Sequence, residues 1–582
     1  MRPARLLGLV LKRRARKVFQ RFSEAARDLR TTQQRVLLRK IRRNQDSRFG
    51  REHDFQHVRS VEDFRSRLPL ADYSSVEPYI EDVKRGNPRA LFGPDERVLM
   101  FAVTSGAYSK PKYIPVTTAF LTEYRLGWHV YGHGVTVDHY SAYDYSLLRI
   151  VSPSNESYTE AGIPCGAISG LMTETLPWPI RRKYTPPLEA ATVNPPHSKY
   201  YLVARIALAG RVSFVSTANP SSILSVVRAA EDHREMLIRD IHDGGVDKSW
   251  EIPDRVRRRL RWHLRPRKRR AGTLEEIVSR TGRLLPKDYW PELRLLAHWK
   301  GGSCGVYLSR LEEYFGDVPI RDVGLLASEG RMTIPFSDEG SSGVLDITSH
   351  FFEFIPEEEG ESEHPTVLLA HEVERDRNYF IVLTTSSGLY RYNISDVVQV
   401  TGFFRQTPQL RFLNKGHYFS SLTGEKVSEF QVVESMRQAR DHLKGGPDLV
   451  GGIFNPMLDD PPRYSLAVER KETCSRESWR TFLRRFEEHL RSRNVEYESK
   501  RTSGRLGAPV LHLLKPGTFE DIKEKVVAKM GGRREQYKHC FLVSQIDYQK
   551  TLPVEDRISL DESFNQLRAP SLPTGEIDSE RP

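Results

Sequence analysis

The chain has 582 residues, 38% of them hydrophobic, 10% aromatic and 28% charged, with a net charge of 89 − 76 = +13. This composition excludes a disordered chain, and the length suits roughly two to four domains. No apolar run approaches the roughly 20 residues that cross a bilayer, and Cys165, Cys304, Cys474 and Cys540 lie too far apart for a disulfide framework or a zinc knuckle, so a cytoplasmic protein with buried thiols is expected.

Arg2, Arg5, Lys12, Arg13, Arg14, Arg16, Lys17 and Arg21 alternate with apolar residues from Leu6 to Phe22. The apolar run 6–11 is too short for a secretory segment, and the stretch reads as a terminal helix docked on its own domain, with a membrane-surface helix as the alternative. From Ser23 to about Phe92 the periodicity is helical, with a break at Pro69. Segments 96–103, 212–217, 322–327 and 379–384 read as buried strands, with longer helical patterns between them such as 222–240. This alternation predicts an α/β architecture with mostly parallel sheets. Ligands gather at the carboxyl ends of such strands, which places the turns after residues 103, 327 and 384 on one candidate site. The basic run RVRRRLRWHLRPRKRR, 255–270, reads as a solvated helix and loop, with a nucleic-acid surface as the alternative. From about Asn414 a glycine-containing link leads to a smaller α+β region ending near residue 555. Helices are expected there at 426–443 and 476–492, and a strand and turn at 511–519. The polar tail from Leu560 is expected to be loosely ordered.

Three segments carry groups that a nucleotide requires. In TSGAYSKPK, 104–112, the hydroxyls of Thr104 and Ser105 and the N–H groups around Gly106 can cradle phosphate oxygens while Lys110 or Lys112 neutralises their charge. LLASEGRMTIPF, 325–336, supplies Glu329, a hard oxygen ligand suited to Mg²⁺. GLYRYNISDVVQVTGF, 388–403, supplies Asp396, whose two oxygens can accept from both hydroxyls of a ribose. Taken singly, each is also read as an ordinary turn, a solvated carboxylate or a local cap.

In their order and wording these segments resemble the acyl acid amido synthetase family first known from auxin-responsive plant genes (Gretchen Hagen three), within the adenylate-forming superfamily. The resemblance covers nearly the whole chain. It includes LLRKIRRNQDSRFGREHDF (37–55), LPLADYSSVEPYIEDVKRG (68–86), the stretch 285–330, FFEFIP (351–356), LTGEKVSE (422–429) and REQYK (534–538). It implies a large N-terminal adenylate-forming domain over 1–413 that binds ATP and the acyl substrate, a hinge over 414–425, a mobile α+β domain over 426–559, and a flexible tail over 560–582. It also implies a monomeric two-step ligase using ATP and Mg²⁺. A small carboxylic acid becomes an acyl adenylate with loss of pyrophosphate, and an amine, typically of an amino acid, then displaces AMP. No nucleic-acid partner is expected.

By the same resemblance the phosphate loop falls on Thr104 to Lys112 and the adenine and metal motif on Ala327, Ser328, Glu329 and Gly330. The ribose carboxylate falls on Asp396, with Tyr390 in the same nucleotide-binding segment. Lys415 and Lys426 bracket the hinge, and Lys538 is the late lysine that reaches the phosphate; Lys538 and Lys112 are the catalytic candidates. The sequence departs from the family at Ala107, Tyr108 and Ser109 in the first loop, at Ser395 where Gly commonly precedes the ribose carboxylate, and at His539 and Cys540 after the late lysine. These departures define a second reading, a catalytically weakened or inactive relative acting as a nucleotide-binding or scaffold protein. Ser109 to Lys112 is also an S-x-x-K match, but only Ser395-Asp396-Val397 echoes the companion elements of a serine acyl hydrolase. His129, His133 and His139 lack the H-E-x-x-H arrangement of a zinc site, and packing or surface roles are expected for them.

Overall fold

The computed structural model describes residues 3–560 apart from 105–111, 361, 416–418, 421, 424, 426, 442–450, 460, 472–473, 504–505 and 530–536. The chain divides into two compact units. One comprises Met1–Gly416 with Val526–Tyr537, the other His417–Lys525 with Lys538–Pro582.

The first unit begins with helices that follow their capping signals. Asp28 accepts the N–H of Thr31 at the start of helix Leu29–Asn44, and Ser60 with Asp63 forms a complete capping box on helix Val61–Arg67. The apolar face of Leu29–Asn44 buries Leu29, Val36, Leu37 and Ile41, and it also buries Lys40. Lys40 Nζ lies 2.7 Å from Glu123 Oε2 and 2.9 Å from Ser386 Oγ. Burial lowers the Lys40 pKa to about 8 against the pull of Glu123. The basic N-terminal helix, Pro3–Ala25, is docked as expected: the Phe19 ring lies 4.9 Å from His133 and 5.6 Å from Phe336, and Phe22 lies 6.0 Å from Phe336.

Three sheets build the rest of this unit. Strands Tyr184–Thr185, Ser146–Arg149, Val212–Ser216, Leu295–Ala297 and Ile320–Arg321 lie in that order in a parallel sheet. Helices Pro196–Leu208, Pro220–Asp232 and Lys268–Thr281 share one apolar core with it, through Tyr201, Leu224, Val227 and Leu274 against Leu148, Val215 and Leu296. A mixed sheet orders Lys112–Thr117, Val98–Thr104, Pro164–Gly166 and Ser157–Tyr158. A seven-stranded sheet runs Thr333–Ile334, Gly343–Leu345, Thr407–Lys415, Tyr392–Phe404, Asn378–Thr384, Phe351–Pro356, Leu368–Leu369 and is antiparallel throughout. The α/β class is as expected, while parallel pairing is concentrated in the five-stranded sheet. The seven-stranded sheet connects its strands through turns and short loops, which cannot make the crossovers that parallel pairing needs.

Two local expectations are corrected. Residues 322–327 form a loop, with the strand ending at Arg321. The Asp322 carboxylate accepts the N–H groups of Lys300 and Gly324, each at 2.6 Å, and Gly324 takes a φ of +90°, which a strand cannot. The helical pattern over 222–240 is two helices, Pro220–Asp232 and Arg234–Asp243, separated at His233.

The second unit packs helices Glu429–Asp441 and Arg476–Arg493 with a four-stranded sheet of order Ile453–Met457, Arg463–Glu469, Val510–Leu514, Val554–Ser559, whose central pair is parallel. Trp479, Phe482, Leu483, Phe486 and Leu490 fall on one face of the longer helix at helical spacing, and all are buried.

Candidate functional site

Thr104 and Lys112, the two ends of the first loop, are direct partners in the hairpin ladder. The ladder therefore brings together the backbone ends of a segment whose interior, including Ser105, Gly106 and Lys110, lies outside the described residues. The half-buried Lys112 extends its Nζ to 3.4 Å from the Tyr392 hydroxyl and 5.4 Å from the centre of the Tyr73 ring.

The second segment is a tight turn. Ala327 and Gly330 exchange backbone hydrogen bonds, N–H to C=O at 2.9 and 3.3 Å, which leaves Ser328 and Glu329 at the tip. Gly330 is required by contact: a Cβ there would stand 2.6 Å from Nε2 of the buried His350. Glu329 is itself buried, at 6% exposure.

The third segment reaches the same place through an irregular strand. Val382 pairs with Asn393 and Phe380 with Val397, so residues 394–396 bulge out of the ladder between those pairs. Ser395 adopts φ +60°, and its N–H donates to Asn393 Oδ1 at 2.8 Å. The positive φ that a glycine would accept freely is thus retained by a serine held through a local side-chain bond. A bulge re-aims the side chains beside it, and Asp396, 3% exposed, follows immediately and pairs through its backbone with Lys415.

Tyr392 joins these pieces. It is 2% exposed, and burial raises its pKa first, followed by the charges of Glu329, Asp72 and Asp396 and the neighbouring Tyr73 hydroxyl. Residue 71 forms a bridge to Tyr392, with Ala71 N–H donating to Arg391 O at 2.9 Å and Asn393 N–H to Ala71 O at 2.8 Å. That bridge positions Asp72 and Tyr73 beside the cluster. The Tyr73 hydroxyl accepts the Tyr113 N–H at 2.9 Å, and burial pushes its pKa to about 12.

Lys112 thus stands beside the hydroxyl of Tyr392, on which the charges of Glu329 and Asp396 also act; sequence reasoning passed over Tyr392 in favour of Tyr390. Tyr390 instead lies in the core, with its hydroxyl accepting from Asn44 Nδ2 at 2.8 Å and its ring 5.1 Å from Phe49 and 5.0 Å from Phe55. Arg391, at φ +47°, breaks the alternation that would have put both tyrosines on one face. The turn after Thr384, expected on the same site, is occupied by core contacts: the Ser386 hydroxyl accepts from Lys40 and its carbonyl from Thr117 Oγ1 at 2.9 Å. His139 Nε2 lies 2.6 Å from Asp338 Oδ2 and His133 packs on Phe19, two separate surroundings.

Lys538 belongs to the second unit, where its charge works against the upward push that burial gives the Glu429 carboxyl. His539 is buried between the rings of Phe519, at 5.0 Å, and Phe541, at 4.6 Å, with Nε2 2.9 Å from Gly452 O. Burial lowers its pKa to about 4 and raises that of the Cys540 thiol to about 12. Both departures after the late lysine are thus packing groups. Tyr537, in the first unit, accepts from Asn219 Nδ2 at 3.0 Å through its carbonyl. Lys426 lies outside the described residues.

By fold, the chain is of the kind seen in a solved structure described as GH3.15 acyl acid amido synthetase, with a TM-score of 0.79 at 21% identity, covering 93% of this chain and 96% of that one. The chain belongs to the GH3 family: residues 18–320 match the GH3 family N-terminal domain, 343–415 the GH3 family central domain and 431–546 the GH3 family C-terminal domain. It is 24% identical to a jasmonoyl–L-amino acid synthetase, GH3.5, of Oryza sativa subsp. japonica, over 89% of this chain and 93% of that protein. It is 23% identical to the indole-3-acetic acid-amido synthetase GH3.17 of Arabidopsis thaliana, over 87% and 90%.

Proposed function

We propose that the protein is an ATP-dependent acid-amino acid ligase. A carboxylate oxygen of a small acid attacks the α-phosphorus of ATP, pyrophosphate leaves, and an amino acid amine then attacks the acyl carbon and displaces AMP as the amide forms. The observation that carries this reading is Lys112 at the hydroxyl of a buried tyrosine that also feels the charges of Glu329 and Asp396, in a chain whose GH3-family relatives bear synthetase names.

Each group has a chemical task in this proposal. Lys112 offsets phosphate charge as the two anions approach, and Tyr392 and the Tyr73 ring hold its ammonium in place. Asp396 accepts from the ribose hydroxyls. Among the described residues no cluster of three or more His, Cys, Asp or Glu forms a metal cage. The single carboxylate of Glu329 suits Mg²⁺, which keeps waters and takes its other ligands from phosphates. When bound, Mg²⁺ would screen the polyphosphate charge. The family-derived assignment of a hinge over 414–425 and a mobile domain belongs to the same proposal: movement of that domain delivers Lys538 to the phosphate during adenylation and shields the adenylate from water. A screen of carboxylic acids and amino acids for ATP-dependent pyrophosphate release and amide product tests the function. A protein that binds no ATP would defeat it, and one that binds ATP without turnover would favour the nucleotide-binding or scaffold reading.

A further inference from the structure

The parallel sheet has a second end. The candidate site involves turns and irregular strands elsewhere in the first unit, whereas the loops preceding Ser146, Tyr184 and Val212 enclose a separate open cavity of about 810 Å³ at the amino ends of those strands. Six cations from three separate parts of the chain line it: Lys183, Arg211, Arg267, Lys268, Arg269 and Arg270. Asp144 is the carboxylate in the lining, and Glu292 stands beside it, 2.5 Å from Arg211 Nε.

Several of these cations are held by the fold. Arg270 Nε donates to Leu208 O at 2.8 Å and its Nη2 to Tyr289 O at 2.6 Å. Arg211 lies 3.7 Å from the centre of the Tyr145 ring. The Arg267 backbone, though not its exposed side chain, is fixed by its N–H donating to Ile241 O at 2.8 Å. Carbonyl bonds do not neutralise the Arg270 guanidinium, so its charge remains available to a ligand, whereas Arg211 is already paired with Glu292. Burial lowers the pKa of Arg270, a sign that this half-buried cation has lost hydration an anion could replace.

The local sequence adds to this. Lys268, Arg269 and Arg270 open the helix Lys268–Thr281, whose first turn holds no acidic residue and whose N-cap, Arg267, makes no side-chain cap. Cations at the positive end of a helix dipole oppose the usual preference, and an anion seated there reverses the sign of that interaction. An open pocket of about 810 Å³ suits a compact ligand better than an extended polymer.

We infer that this cavity binds a small soluble anion bearing several clustered phosphates, at a site separate from the proposed ATP site. Calorimetry on the full chain at physiological ionic strength, with inorganic tripolyphosphate as the probe, tests it. The double variant Lys268→Ala/Arg269→Ala should lose a binding event or weaken it by about a hundredfold, since each charge-assisted bond is worth about tenfold. Lys112→Ala should keep that event, which separates it from binding in the ATP site. Arg258→Ala/Arg259→Ala, which removes as much charge from the same basic run outside the cavity, should also keep it. Lys183→Ala gives an independent second variant, expected to weaken the event about tenfold, should the double variant melt early. The inference is overturned if no such event exists, if Arg258→Ala/Arg259→Ala loses it equally, or if the cavity variants leave it untouched. Tighter, length-dependent binding of RNA oligonucleotides, or of phosphatidylserine vesicles, through the same residues would likewise overturn it.

Discussion

The two units hold their candidate residues by opposite means. In the first, backbone irregularity does the positioning: a tight turn presents Glu329, a bulge with a serine at φ +60° re-aims Asp396, and a β-bridge brings Tyr73 to Tyr392. In the second, ordinary packing does it: Lys538 is followed by a buried neutral imidazole and a buried thiol. A site built from irregular backbone tolerates little change in its turns, while one anchored by packing is sensitive to whatever ionises the anchor.

The largest expected effect separates reactivity from packing in the second unit. Lys538→Ala should slow pyrophosphate release by about a hundredfold or more while the melting temperature stays near that of the wild type; unchanged release would remove Lys538 from the mechanism. The anchor itself should respond to pH. Unfolded His539 takes a proton near pH 6.5, but folded His539 does so only near pH 4, so its contribution is complete above 6.5 and is lost as the pH falls to 4. The span corresponds to roughly 3 kcal/mol. His512, also held at about 4 by burial, adds a loss of the same sign in that unit. Hydrogen exchange in strands Ile453–Met457 and Arg463–Glu469 should quicken over this range, and His539→Gln should flatten part of the dependence. An unaltered pH profile in the variant would contradict the packing account.

Two smaller effects probe the first unit. Asp396→Asn should raise the KM for ATP by about tenfold, the worth of one hydrogen bond to a charged group; a defect confined to the acid substrate would move Asp396 off the nucleotide. Ser395→Gly should change stability least, a gain of a few tenths to about 1 kcal/mol as the left-handed strain is relieved and glycine's extra unfolded freedom is lost. A loss of stability would mean that the Ser395 side chain contributes more than its backbone conformation costs.

Much of this was legible in the sequence. The strands near 98–104, 212–216 and 378–384 announced themselves as apolar runs ending in small or polar residues, and the wording of the three motifs nominated Lys112, Glu329 and Asp396 as candidates. What the sequence concealed depends on long-range partners. DVGLLA has the composition of a strand, yet Asp322 is captured by the N–H groups of Lys300 and Gly324. Tyr390 and Tyr392 are equivalent in pattern, and only the positive φ at Arg391 and the bridge to residue 71 separate a tyrosine packed on Phe49 and Phe55 from one beside Lys112. The basic run 255–270 reads as a solvated stretch, and only the fold shows that its last four residues meet Lys183 and Arg211 around a cavity.

The central claim is that a carboxylate is activated through AMP. Its most direct test is to supply an acid substrate labelled with heavy oxygen in its carboxylate, together with ATP and an amino acid, and to find the label by mass spectrometry. The proposed route predicts one labelled oxygen in the phosphate of AMP and the other in the amide. Label in inorganic phosphate with formation of ADP would show activation through an acyl phosphate instead, and would contradict the adenylate account.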